Sequence, residues 1–151
     1  MSNNVFFFVI FVLNCFEITF KHKISPCYYE KPFKVPNGVT AFICNDIKDV
    51  TKVNFSPIKN NIVPSCTPVF LQSKEIKTYR FWFDETNTNK AIKPNYLYGA
   101  NKDINIFVTF PKDKYNVYRF THDGDSGNVS LFIPPENAKL PAHKAILVIP
   151  K

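Results

Sequence analysis

GVTAFIC, residues 38–44, is the stretch on which the reading of this 151-residue chain turns. It is short, rich in β-branched and aromatic side chains, preceded by the turn signal VPNG, and ends on Cys44. Such residues lose rotamer freedom in a helix and pack well on a pleated surface, so the segment reads as a strand. The same texture recurs in CTPVFLQ (66–72), DINIFVTF (103–110), NVYRFTH (116–122), NVSLFIP (128–134) and KAILVIP (144–150). TYRFWF (78–83) alternates in the manner of a half-buried strand. Between these runs lie clusters of Pro, Asn, Asp and Gly: DETNTN, KPNYLYGANKD, FPKDKYN, DGDSGN and PPENAKLP. Short strands at spacings of about ten to fifteen residues predict an all-β protein, a sandwich. No segment keeps a helical apolar period, and no internal repeat or linker divides the chain.

The N-terminus carries a different signal. Val5 to Phe16 is apolar except for Asn14, the length of a signal-peptide core and too short to span a bilayer. Cleavage between Cys15 and Phe20 is expected, leaving residues 21–151 as a single domain with no transmembrane span. A buried N-terminal strand and an uncleaved anchor are the alternatives. Secretion places the chain outside the cell or on its surface, in an oxidising compartment where cysteines pair.

Three cysteines lie beyond that cut: Cys27, Cys44 and Cys66. A Cys27–Cys44 bridge would close a loop of about seventeen residues and contribute roughly 3 kcal/mol. Two buried free thiols are the other reading of the pair. The order of a first Cys, the strand GVTAFIC, a polar link and then PSCTPVF resembles the six-cysteine domain of apicomplexan parasite surface proteins. The closing LFIPPENAKLPAHKAILVIPK is similar to that family's proline-rich turn and final strand. The resemblance implies a β-sandwich of mixed parallel and antiparallel strands, with Cys27 joined to Cys44. It also makes Cys66 the third cysteine, whose partner would come from the last strand. KAILVIP has no cysteine, so one bridge of the family's three remains. Cys66 is then a free thiol buried beside the core, the donor of an intermolecular disulfide, or a partner of Cys15.

Other features are weaker. His22, His122 and His143 lie far apart with no Cys or carboxylate at ligand spacing, so no metal or other cofactor is expected. HDGDSGN (122–128) departs from the calcium-loop register and reads as a hairpin turn. Asn54-Phe55-Ser56 and Asn128-Val129-Ser130 match the glycosylation sequon and mark surface loops. There is no nucleophile elbow, phosphate loop or metal triad, and an enzyme is not expected. The net charge of +7 comes from seventeen lysines scattered singly and only two arginines. That pattern argues against nucleic-acid binding and for a lysine-decorated sheet surface. The resemblance implies recognition: the expected partner is another protein, either a parasite surface protein or a host factor. A polyanionic glycan is a second candidate, from charge. A secreted structural β-protein of unrelated family, with no specific ligand, is the alternative.

Overall fold

The computed structural model describes residues 14–49, 52–123 and 128–151. In chain order the strands are β1 (Cys15–Thr19), β2 (Ile24–Cys27), β3 (Phe33–Lys34), β4 (Val39–Asp49), β5 (Lys52–Pro57), β6 (Ile62–Val63) and β7 (Val69–Ser73). They continue as β8 (Thr78–Trp82), β9 (Leu97–Gly99), β10 (Ile104–Asn105), β11 (Tyr115–Asp123), β12 (Asn128–Phe132), β13 (Lys139–Leu140) and β14 (Ala145–Pro150). A single helical turn, α1 (Ile106–Thr109), follows β10.

Two four-stranded sheets make the centre, with strand orders β2-β7-β4-β5 and β12-β11-β14-β9. Residues opposite one another in an antiparallel pair share a face, so the register divides each sheet into two apolar surfaces. In the first sheet, Ala41 opposes Leu71 and Cys27 opposes Val69, all packed in one core cluster. Phe42 opposes Phe70 and Cys44 opposes Phe55, and these belong to a second cluster. That second cluster also holds Leu97, Leu147, Tyr118 and Phe120 from the other sheet. The two sheets therefore pack face to face across it. Aromatic edges interlock there, with Phe70 5.1 Å from Phe120 and 5.3 Å from Phe55.

Both outer faces are covered as well. The two-stranded ribbon β1-β8 lies over the first sheet with the β3-β6 pair, burying Phe20, Phe33 and Phe81. The ribbon alternates cleanly: Tyr79 and Phe81 are buried while Thr78, Arg80 and Trp82 are exposed. Over the second sheet, α1 and the β10-β13 pair cover Val117, Ile146 and Val148. Two apolar faces per sheet explain the near-continuous burial of AILV in β14.

Three sequence expectations need correction. Every described strand pair is antiparallel, where a mixed sheet was expected. A parallel neighbour needs a long crossover, usually a helix, and the described chain offers one turn of helix. DINIFVTF is not one strand: after Asn105 the chain coils, and the Phe110 N–H donates to the Ile106 carbonyl at 2.8 Å. Fully buried Ile106 plugs the second sheet's outer face while Val108 points outward, 79% exposed. Tertiary packing overrides the strand propensity of that segment. β1 pairs with β8, Phe20 is buried in the core and Phe16 packs against it, so residues 15–20 pack with the strands that follow. The remainder of the hydrophobic run, residues 5–13, lies outside the described residues.

The third correction concerns the cysteines. Cys27 and Cys44 are both buried and unbonded. β7 lies between their strands, and neighbouring strands are about 4.8 Å apart. The register also turns them to opposite faces of the sheet, one into each core cluster. Disulfide geometry holds the two Cβ atoms about 3.5–4.5 Å apart, so this arrangement forbids the bridge.

Candidate functional site

The segment Tyr28–Glu30 leaves β2 and belongs to no strand, yet each of its three carbonyls finds a donor. The Tyr28 carbonyl accepts from the His143 ring at Nδ1, 3.1 Å away, and the Tyr28 N–H donates to the His143 carbonyl at 3.1 Å. The Tyr29 carbonyl accepts from the Cys66 N–H at 3.3 Å. The Glu30 carbonyl accepts from the Ser65 hydroxyl and contacts the Cys66 sulfur at 3.8 Å. Two loops from distant parts of the chain thus clasp one segment.

Both clasping residues sit in left-handed backbone conformations, Cys66 at φ 55° and His143 at φ 65°. L-residues with side chains adopt that region at a cost of roughly 1 kcal/mol or more, and such positions gather at binding sites and switches. The His143 N–H donates to the Ala100 carbonyl at 2.8 Å, which ties its loop to the end of β9.

Above the clasp a file of rings runs outward from the core. Phe81 stacks on Phe16 at 5.0 Å, Phe16 on Tyr29 at 3.9 Å, and Tyr29 on His143 at 4.4 Å, with interplanar angles of 7°, 22° and 9°. Phe81 is fully buried and His143 half-exposed, so the imidazole is the outer end of a rigid stack. A carbonyl can only accept, so Nδ1 of His143 carries the proton. In the neutral ring, Nε2 is then left as an acceptor.

Beside this stack opens a cleft of about 440 Å³ lined by Tyr29, Glu30, Lys31, Phe83, Asn101 and His143. Its polar groups are pinned. Asn101 donates to the Glu30 carboxylate at 2.6 Å, and Lys31 pairs with Glu85 at 2.9 Å while lying 5.7 Å from the Phe83 ring centre. Burial, and after it the neighbouring Cys27, pushes the Tyr29 phenol up to about 12. Burial, assisted by a hydrogen bond with Cys66, does the same for Tyr28. Both phenols are neutral hydrogen-bonding groups at physiological pH. The Cys66 sulfur meets Ser65, the Glu30 carbonyl and Tyr28. Aromatic faces, an imidazole, an amide and a carboxylate together suit recognition by shape and hydrogen bonding.

Of the cysteines singled out from sequence, only Cys66 belongs to this site. It is exposed, where a thiol buried beside the core was one expectation. Cys27 lines the small neighbouring cleft behind the Tyr29–His143 stack, though its own side chain is 2% exposed. Cys44 lies in the opposite core. Asn54 is exposed on β5 and donates to the Asp46 carboxylate at 3.2 Å. Asn128 begins β12, and its side chain is outside the described residues. Among the described residues no three metal-ligating side chains gather, and no helix is long and apolar enough to cross a membrane. Tyr28 and Tyr29 carry no signal in the sequence, and His143 stands out there only as an isolated histidine without metal-ligand spacing. The pairing of CYYEK with PAHK is a long-range contact that neither periodicity nor spacing encodes.

No family model matches the chain, and neither does any curated protein or solved structure. The class defined by fold and site is an all-β protein of stacked antiparallel sheets with a clasped aromatic cleft.

Proposed function

We propose that the protein is a secreted or surface-associated recognition module that binds another protein through the Tyr29–His143 cleft. The observation that carries this reading is the clasp: two left-handed residues hold a ring stack and its polar neighbours in one geometry before any partner arrives. A pre-ordered aromatic surface loses little conformational entropy on binding, and aromatic residues dominate interface energetics. Export is supported by the apolar run from Val5. The resemblance to six-cysteine domains points the same way, while the antiparallel sheets and unjoined cysteines depart from that family's pattern. The same departure favours the second reading, a structural β-protein without a ligand.

A photo-crosslinking amino acid placed at His143, and separately at Lys114 as control, decides between the two in cells that express the chain. Recognition predicts one discrete adduct at His143, lost when Tyr29→Ala is added, and none at Lys114. Equal adducts at both positions, or none at either, refute it.

A further inference from the structure

A second cleft, of about 370 Å³, opens between the β5–β6 turn and the loop 87–92. Its floor is aliphatic: Ile43, Ile58, Ile62 and Ile92 all line it. Its rim is cationic, with exposed Lys59 on one side and exposed Lys90 on the other. Among the described residues no carboxylate lines it. The nearest acids in sequence are committed elsewhere, Glu85 to Lys31 and Asp84 to the Thr86 N–H and hydroxyl. Among the described residues neither Lys59 nor Lys90 is in an ion pair.

The rim is also positioned. Asn60 and Asn61 both take left-handed φ angles, 63° and 53°, the signature of a type I′ turn, which fixes where Lys59 leaves the sheet. Across the cleft the Asn87 carboxamide oxygen accepts from the Asn89 N–H at 3.0 Å, so the Asn87 amide NH₂ keeps its donors for a ligand.

We propose that this cleft binds a short acidic segment of a partner protein, an aliphatic side chain seated on the isoleucine floor and carboxylates facing Lys59 and Lys90. Charge complementarity sets the sign of the ligand, and the protein's net charge of +7 steers acidic partners toward it. The floor sets its kind. Isoleucine and proline walls accept a leucine-like side chain, whereas stacking of bases or sugar rings calls for aromatic faces, and none of the described residues lining this cleft is aromatic. The volume lies at the small end of ligand pockets, roughly 300–1,000 Å³, matching one anchoring side chain with its flanks.

The test is a titration of the full chain, followed by amide NMR, with acetyl-Glu-Leu-Glu-Glu-amide as probe. Saturable shifts at Ile58, Ile62 and Ile92 are expected. The Lys59→Glu, Lys90→Glu double variant should weaken them at least about tenfold, and the dispersion of its spectrum reports whether it is folded. The Gln-Leu-Gln-Gln analogue should bind more weakly than the acidic peptide. The proposal is overturned by the absence of saturable shifts at millimolar peptide, by equal binding of the glutamine analogue, or by an equal loss in a Lys114→Glu, Lys139→Glu control. A heparin hexasaccharide that shifts the same amides at lower concentration than the peptide overturns it in favour of a glycan.

Discussion

Replacing Gly99 by alanine places a methyl carbon 2.2 Å from Tyr28 Cβ, 2.7 Å from Tyr28 Cγ and 3.0 Å from the Lys144 carbonyl oxygen. Gly99 is not in the left-handed region, so the penalty is one of space alone. Carbon atoms rest about 3.5–4.0 Å apart, so Tyr28 and β9 would have to separate by more than about 1 Å. Tyr28 cannot swing away, because its Cβ is fixed to a backbone bonded to His143 through both its N–H and its carbonyl. Overpacking typically costs about 1–3 kcal/mol, and two tethered backbones put Gly99→Ala near 3 kcal/mol or above. Urea unfolding followed by far-ultraviolet circular dichroism measures it. The partner substitution sharpens the test: Tyr28→Ala keeps the Cβ and relieves only the Cγ contact, whereas Tyr28→Gly removes both. In the Tyr28→Gly background, Gly99→Ala should cost less than about 1 kcal/mol, a coupling large enough to resolve. Equal costs of Gly99→Ala in the wild-type and Tyr28→Gly backgrounds would refute the contact and, with it, the clasp that depends on Tyr28.

Four other outcomes follow from the same packing. Iodoacetamide at pH 8 should modify exposed Cys66 in the native protein and spare Cys27, whose thiol burial pushes up to about 12, cutting its thiolate about a thousandfold; peptide mass spectrometry showing equal labelling contradicts this. Dithiothreitol should leave Tm unchanged, since no bridge joins Cys27 to Cys44, and a drop of several degrees would restore the bridge. The raised Cys27 pKa also sets an alkaline limit. Its stability contribution is complete below the ordinary value of 9.0 and is lost as pH climbs toward 12, a change of up to about 4 kcal/mol. A Cys27→Ala variant should show a flatter decline over that window in urea titrations at successive pH values. Finally, Phe16→Ala should cost about 3–5 kcal/mol because the ring touches Tyr29, Phe33, Phe81 and Phe83; a chain beginning at residue 21 that unfolds as cooperatively as the full one would contradict the place of β1 in the core.

The all-β class was legible from composition and punctuation. GVTAFIC, TYRFWF and KAILVIP became β4, β8 and β14 because β-branched and aromatic residues between turn signals have few other stable fates. Short or polar strands escaped notice. β5 carries Asn54 and Ser56 on one side of its alternation, and β9 lies inside KPNYLYGANKD, whose proline, asparagines and glycine read as a break. Asn95 in that break is structural: its side chain accepts from the Cys44 N–H and donates to the Pro68 carbonyl, closing the ladder where β7 begins.

Alternation within a strand is local, and the amino-acid sequence alone determined the β character of the apolar runs such as GVTAFIC, TYRFWF and KAILVIP. It did not determine which face each strand would show to which neighbour, because that depends on register between segments dozens of residues apart. Strand order and register together decide whether two cysteines meet or point into different cores, and here β7 and the pleat hold Cys27 and Cys44 apart. The same long-range pairing brings His143 onto Tyr29 and Lys90 opposite Lys59. Contacts of that kind are properties of chain closure, and only the tertiary structure could supply them.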